Sequence, residues 1–142
     1  MSSLRTQARR LAVQILFALE EGGGREQPLK DLLTAAAPKA PKEVVAYATE
    51  IVGGVEAQQS ALDQRLEGAS EHWSLERIHP IEKCILRLGL YELTYKPDIP
   101  ARVALNEAID LAKRFGDDEA WRFVNGVLDK LGAARIQAEQ EQ

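Results

Sequence analysis

The stretch IEKCILRLGLYEL, residues 81–93, decides the fold class, because its apolar side chains cover nearly the whole circumference of a helix. A helix that is apolar on all sides is normally enclosed by other elements. We therefore predict a central helix that opens at Pro80, a residue suited to a first helical turn, and ends at Tyr95. Pro97 and Pro100 follow it and form a rigid connection to the next element.

Helical patterns continue outward from this segment in both directions, and no stretch shows the alternation that predicts a strand. On the C-terminal side, a helix is predicted over 102–115 with Gly116 as its stop, and Asp117 caps the last helix. On the N-terminal side, the predicted elements are a helix from Ser2 or Ser3 to the glycines at 22–24, a short helix over 29–37, a long helix from Pro41 to about residue 66, and a turn over 75–78 capped by Ser74.

These elements predict an all-α protein with about seven helices. We expect a single domain over residues 1–142, with an N-terminal helical half at about 1–68 and a C-terminal helical half at about 74–132. The polar residues 133–142 are predicted to fray. Gly126 lies inside the last helix, and a glycine at such a position predicts close packing against a neighbouring helix.

The composition is that of a soluble globular protein, with 45% hydrophobic and 28% charged residues. Cys84 is the single cysteine, which excludes an internal disulfide and any cysteine-based metal cluster. No run of about 18 apolar residues is present, so no membrane-spanning helix is predicted. Arg9, Arg10 and Gln14 interrupt the apolar N-terminal stretch, so we do not interpret it as a signal peptide and expect a cytoplasmic protein.

Motifs for catalysis are missing from the sequence. It contains no His-Glu-x-x-His pair, no glycine-rich phosphate loop with its lysine and no nucleophile elbow. Cys84 lies in the most apolar segment and is interpreted as an inert buried thiol. Several helical acids have basic neighbours, so surface ion pairing is the default interpretation of Glu82, Glu92, Glu107 and Asp110. The sequence therefore predicts no enzyme activity, no metal site and no cofactor.

Charge is distributed unevenly along the chain. The net charge is -4, yet residues 1–19 contain Arg5, Arg9 and Arg10 and no acidic side chain. Phe17 lies roughly 180° from the centre of the apolar stripe of the first helix, on the side of Arg10 and bordered by Arg9. An aromatic ring beside arginines fits single-stranded RNA, because the ring stacks on a base and guanidinium groups pair with phosphate. The helical wheel alone nevertheless favours ordinary core packing for Phe17.

A second aromatic residue, Phe123, lies roughly 100° from the centre of the apolar stripe on the last helix. Lys113, Arg114 and Arg122 add positive charge to this part of the sequence. For Lys113 and Arg114 the simpler interpretation is that cations late in a helix complement its dipole. The pattern alone again favours core packing for Phe123.

Three segments together resemble the NusB family. They are IEKCILRLGLYEL at 81–93, KPDIPARVALNEAIDLAKRFG at 96–116 and FVNGVLDK at 123–130, and their order, spacing and Pro-Asp-x-Pro linker match the C-terminal half of that family. The segment ARRLAVQILFALE at 8–20 is similar to the family's opening helix. The resemblance implies an all-α fold of two small helical bundles sharing a core, and a bacterial transcription antitermination factor.

The same resemblance implies partners and site residues. NusB-type proteins bind the boxA segment of nascent, single-stranded RNA together with NusE, a protein of the small ribosomal subunit. They help to assemble antitermination complexes on RNA polymerase with other Nus factors, notably in ribosomal RNA operons. The RNA-binding residues implied for this chain are Arg5, Arg9, Arg10, Phe17 and Phe123, and the residues implied at an RNA or partner-protein surface are Glu82 and Glu119. The resemblance therefore favours a functional role for both phenylalanines.

Two other functions stand beside this RNA-and-NusE adaptor. A structural or self-associating helical protein with the same fold would lack boxA activity, and a homodimer of this kind would hide the arginines of the first helix. A similar helical domain also precedes the catalytic domain of certain ribosomal RNA cytosine methyltransferases. Here the chain ends shortly after FVNGVLDK, so we expect no methyltransferase domain.

Overall fold

The computed structural model describes residues 3–22, 24–69 and 75–141, and every regular element within these ranges is helical. They contain six α-helices and one short 3-10 helix at Leu75–Arg77. The α-helices are α1 (Leu4–Gly22), α2 (Leu29–Ala36), α3 (Lys42–Ala69), α4 (Pro80–Tyr95), α5 (Ala101–Phe115) and α6 (Asp118–Gln140). The predicted all-α class with about seven helical elements is confirmed.

The ends of α1 lie where the sequence predicts them. The Ser3 hydroxyl oxygen accepts a hydrogen bond from the backbone N–H of Thr6 at 3.0 Å, which satisfies one of the unpaired donors at the helix start. The helix ends at Gly22, at the beginning of the glycine run. Two further predicted capping residues, Ser2 and Ser74, lie outside the described residues.

The start of α6 also follows the sequence. The Asp117 carboxylate accepts hydrogen bonds from the backbone N–H groups of Glu119 and Ala120 at 3.1 and 2.9 Å. Asp117 therefore caps α6, as predicted. Pro80 occupies the start of α4, where its missing N–H costs nothing.

The helices group into two compact units, Met1–Ala57 and Gln58–Gln142, which we call the first and second unit. The sequence predicted halves at about 1–68 and 74–132, with the boundary in the connection after α3. The division falls inside α3 instead, because this 28-residue helix is long enough to supply its first part to one unit and its last part to the other.

The core of the first unit is built around the apolar stripe of α1. Ala8 and Ala12 of this stripe are completely buried, as its helical spacing predicts. Leu33 of α2 and Ile51 of α3 are also completely buried. The stripe therefore faces the interior of the first unit.

In the second unit, α4 is the enclosed helix that its sequence predicts, and its leucines from 86 to 90 are fully buried. It packs closely on α5 and α6 at Gly89, where an added Cβ would lie 2.6 Å from Leu128 Cδ1 and 3.1 Å from the Cβ of Ala108. The predicted close approach at Gly126 is wrong, because an added Cβ at that glycine meets no atom within 4 Å.

The C-terminal residues continue α6 as far as Gln140, whereas the sequence predicted a frayed tail over 133–142. Two side chains explain the difference. Arg135 donates hydrogen bonds to backbone carbonyls at the end of α4 and in the following linker. Glu139 accepts a hydrogen bond from the backbone N–H of Ala101, at the start of α5, at 2.8 Å. Both contacts are long-range, so helical periodicity does not reveal them.

Candidate nucleic-acid interface

The first group of predicted site residues lies on α1 in the first unit. Arg5 is exposed, whereas Arg10 and Phe17 are half-buried. Arg10 and Phe17 are seven residues apart, so they lie on the same helix face about 10 Å from each other along the axis. We call Arg5, Arg10 and Phe17 the α1 surface.

The face between Arg10 and Phe17 is not entirely open. Val13 lies between them and is completely buried, so α1 packs on this side as well as on its apolar stripe. The alternative that this side of α1 packs into the core is therefore correct for Val13. Phe17 keeps part of its ring accessible, which a stacking role requires.

Arg9 does not lie on the α1 surface. Its side chain is buried, with only 2% of the residue exposed, and its guanidinium carbon lies 5.7 Å from the centre of the Tyr47 ring. Arg5 contacts the same ring, at 4.5 Å from its centre. In this conformation Arg5 and Arg10 are accessible to a phosphate, whereas Arg9 is enclosed.

Tyr47 of α3 is the residue that the sequence reasoning missed. It is buried at 7% exposure and sits three residues after Val44 and four before Ile51, so the pattern assigns it to the apolar stripe. A signal was nevertheless present in α1, because Arg5 and Arg9 are four residues apart and share one helix face. A cation on a face that packs inward needs a partner, and an aromatic ring is one kind of partner that a neighbouring helix can supply.

The N-terminal end of α1 has a positive electrostatic character. Within the described residues, the first turn of this helix carries no acidic side chain, and Arg5 adds a cation to the positive end of the helix dipole. Such a cation costs about 0.3–1 kcal/mol, and a cation–π contact of about 0.5–1 kcal/mol offsets it. A phosphate at this end would interact favourably with both the dipole and the arginine.

The second group of predicted site residues lies together in the second unit. Phe123, Glu82 and Glu119 line one cavity of about 350 Å³, which we call the α4–α6 cavity. Its remaining lining residues are Arg77, Ile78, His79 and Asp117. The structure therefore brings together three residues that are separated by up to 41 positions in the sequence, 82 to 123.

Two acids of this cavity, Glu82 and Asp117, lie at the N-terminal ends of α4 and α6. The Glu82 carboxylate accepts a hydrogen bond from the backbone N–H of His79, the residue before α4, which is one half of a capping box. Asp117 performs the corresponding cap at α6. Burial raises the pKa of the Glu82 carboxyl above its usual range, the nearby His79 opposes this rise, and the negative charge of Asp117 adds to it.

The chemistry of the α4–α6 cavity differs from that of the α1 surface. Carboxylates repel phosphate, whereas they accept hydrogen bonds from base amino groups or from the N–H donors of a protein. Phe123 is half-buried in the cavity lining, and an aromatic ring is a side chain on which a base can stack. The cavity therefore suits the edge and face of a base, or a protein donor, more than an RNA backbone.

The cations around the α5–α6 turn contact the rings of Trp121 and Phe115. Lys113 Nζ lies 4.9 Å and the Arg122 guanidinium carbon 5.4 Å from the centre of the Trp121 ring. Arg114 lies beside Phe115, at 5.9 Å from its ring centre. Lys113 and Arg122 therefore place positive charge at Trp121.

The described ranges hold neither a metal cluster nor a membrane span. No group of three or more His, Cys, Asp or Glu side chains there is arranged to hold a metal ion. None of the helices in those ranges is long and apolar enough to cross a membrane.

Known proteins resemble this chain over nearly its whole length. Residues 6–133 match the NusB family. The transcription antitermination protein NusB of Myxococcus xanthus is 39% identical over 137 residues, an alignment that covers 94% of this chain and 97% of that protein.

Solved structures agree with this match. T. maritima NusB has a TM-score of 0.86 and 29% identity, with 100% of both chains covered. A structure of the antitermination factors NusB and NusE in complex with double-stranded RNA has a TM-score of 0.81 and 27% identity, covering 94% of this chain and 99% of that one. The chain therefore belongs to the NusB family and is a transcription antitermination protein rather than an enzyme.

Proposed function

We propose that this protein binds boxA-type single-stranded RNA together with the ribosomal protein NusE, and so promotes antitermination complexes on RNA polymerase, notably in ribosomal RNA operons. The observation that carries the proposal is the α1 surface, where the half-buried Arg10 and Phe17 share one helix face and Arg5 is exposed at the first turn. This surface combines charge for phosphate with a ring for a base. The solved complex of a NusB relative with NusE and double-stranded RNA supports both classes of partner.

Each surface has its own role in this proposal. Arg5 and Arg10 pair with phosphates, and Phe17 stacks on a base. The burial of Arg9 favours an indirect role for it, through the side chains that it contacts. These assignments place the charge-dependent part of RNA affinity on α1.

The α4–α6 cavity supplies the interactions that do not involve phosphate. Phe123 stacks on a base, while Glu82 and Glu119 accept hydrogen bonds from base edges or from NusE. Other Nus factors and RNA polymerase are indirect partners, reached through the complex with RNA and NusE.

Self-association without boxA binding is the second candidate, and one observation favours it. Leu4 is 46% exposed and adjoins Arg5 at the start of α1. Burial of such a side chain in a homodimer would also cover the first arginine. Sedimentation velocity with and without RNA separates the two functions, because a self-associating protein without boxA activity stays a dimer when RNA is added, whereas the adaptor forms a complex with the RNA.

Fluorescence anisotropy of a boxA RNA and a scrambled RNA, with and without NusE across a salt series, tests the proposal. We expect preferential boxA binding that NusE strengthens and that Arg10→Ala weakens. The slope of log affinity against log salt should fall by about 0.7 for each arginine–phosphate pair that a variant removes. Lys39→Ala is the matched control, because it removes an exposed cation of the first unit that is outside the α1 surface. Absence of binding to either RNA, even with NusE at low salt, would leave self-association as the function.

A further inference from the structure

A cluster of two arginines around one tyrosine lies at the start of α1. The Arg5 and Arg9 guanidinium carbons are 4.5 and 5.7 Å from the centre of the Tyr47 ring, both within the range of cation–π attraction. Tyr47 and Arg9 are buried, whereas Arg5 is exposed. One buried ring therefore holds two cations, of which only Arg5 lies open to solvent.

The spacing of the arginines explains how a single ring serves both. Residues four apart on a helix lie one above the other on the same face. Two guanidinium groups placed this close repel each other, and the negative face of a ring reduces that cost. Tyr47 is therefore one partner that lowers the cost of carrying Arg9 inside and Arg5 at the surface.

We propose that Tyr47 is a positioning residue for RNA binding, which holds the Arg5 guanidinium at the surface in the orientation that meets a phosphate. This inference rests on the proposed function and adds a residue of α3 to it. A guanidinium carbon 4.5 Å from the ring centre is within stacking distance, and the N–H donors that pair with phosphate oxygens lie in the guanidinium plane. Stacking on the ring is thus compatible with phosphate pairing.

Preorganisation is the reason why such a contact affects affinity. An unrestrained arginine side chain has many rotamers, and binding a phosphate must fix them. A side chain already held against a buried ring has less freedom to lose, so the same phosphate contact yields tighter binding. Arg9 belongs to the same arrangement, because it is buried and its guanidinium also lies near the Tyr47 ring.

The test compares variants at position 47 by boxA anisotropy across a salt series. Tyr47→Phe keeps the ring, and we expect affinity within about twofold of wild type. Tyr47→Leu keeps an apolar side chain without a ring, and we expect binding about three- to tenfold weaker. Its salt slope should fall toward that of Arg5→Ala. In the double variant, the Arg5→Ala change should cost much less affinity than it does alone, because the two residues act through one contact.

A second series covers the case in which Tyr47→Leu does not fold. Phenylalanines with increasing numbers of fluorine atoms at position 47 keep the ring shape while weakening its negative face. Affinity should decline stepwise along this series, relative to Tyr47→Phe, at unchanged melting temperature. A flat series, or a folded Tyr47→Leu that binds like wild type while Arg5→Ala does not, would overturn the positioning role. Wild-type binding by Arg5→Ala, Arg10→Ala and Phe17→Ala would instead overturn the proposed α1 surface itself.

Discussion

The Arg135 guanidinium on α6 donates a 2.8 Å hydrogen bond to the carbonyl oxygen of Leu93, near the C-terminal end of α4. The same group also reaches the carbonyls of Glu92, Lys96, Pro97 and Ile99. The Glu92 and Lys96 carbonyls also accept backbone hydrogen bonds, from Lys96 and Ile99. Leu93 has no i+4 donor in its own helix, because residue 97 is a proline without an N–H, and Arg135 supplies that donor. The second half of α6 therefore stabilises the linker between α4 and α5, which contains Pro97 and Pro100.

Arg135→Ala should lower the free energy of unfolding by about 1–3 kcal/mol, because it removes the hydrogen bonds to the linker and leaves the Leu93 carbonyl without this donor. Urea denaturation monitored by circular dichroism measures this. Gln137→Ala on the same helix is the control, since it removes only an exposed hydrogen bond to Glu141, and should change stability by less than about 0.5 kcal/mol. Equal effects of the two variants would show that the linker is not held by Arg135.

Because of Glu139, the stability of this region should change with pH in the acid range. The hydrogen bond from the Ala101 backbone N–H, followed by its interactions with Arg135, lowers the pKa of the Glu139 carboxyl below its ordinary value. A lowered folded pKa contributes stability that is present above the unfolded pKa and is lost as pH falls through the folded one. We expect wild type to be more stable than Glu139→Gln at pH 7, and the two unfolding curves to converge below about pH 4. Parallel curves over this range would contradict the assignment.

Alanine substitutions at two glycines of the second unit should have opposite effects on stability. At Gly89 the new methyl group would overlap Leu128, so Gly89→Ala should destabilise by about 1–3 kcal/mol. Gly126 is exposed in the helix with open space around it, so Gly126→Ala should stabilise by up to about 1 kcal/mol. Thermal unfolding of both variants gives the comparison. Destabilisation by Gly126→Ala would mean that something packs on that glycine in solution.

The helix ends were predictable from the sequence because the interactions that set them are local. Ser3, Asp117 and Pro80 each act within one turn of their own helix. The few residues around each of them are therefore enough to predict the helix end. The extension of α6 was not predictable in this way. It depends on Arg135 and Glu139 reaching residues more than 30 positions away, which no periodicity encodes.

For the candidate site, the sequence predicted residues but not their surroundings, and the roles of these residues stay predictions. Resemblance led to Glu82, Glu119 and Phe123, and the structure places all three in one cavity. The burial of Arg9 escaped prediction, because a helical wheel gives the direction of a side chain and not the partner that encloses it. Tyr47, one of the residues that contact Arg9, resembles an ordinary core residue in sequence.

Glu82 should have the opposite pH behaviour to Glu139. Burial raises the pKa of the Glu82 carboxyl, so its ionised form costs stability, and that cost is complete only above the folded pKa. Glu82→Gln should therefore be more stable than wild type at pH 7 and equal to it below the unfolded pKa, about 4.3. Glutamine keeps an oxygen that accepts from the His79 backbone N–H, so the cap is retained. A less stable variant at neutral pH would show that the charged cap outweighs burial.

Phe17 provides the sharpest test of base stacking on α1. Phe17→Leu keeps an apolar side chain but removes the ring, and loss of one stacked base should weaken boxA binding by about five- to 100-fold. The salt slope should stay unchanged, since every arginine–phosphate pair remains. Phe17→Tyr is the control, because it keeps the stacking face and should bind at least as well as wild type. Anisotropy with boxA RNA in the presence of NusE measures both variants. If leucine binds as tightly as phenylalanine, the half-buried ring is part of the core, and RNA binding by α1 rests on its arginines alone.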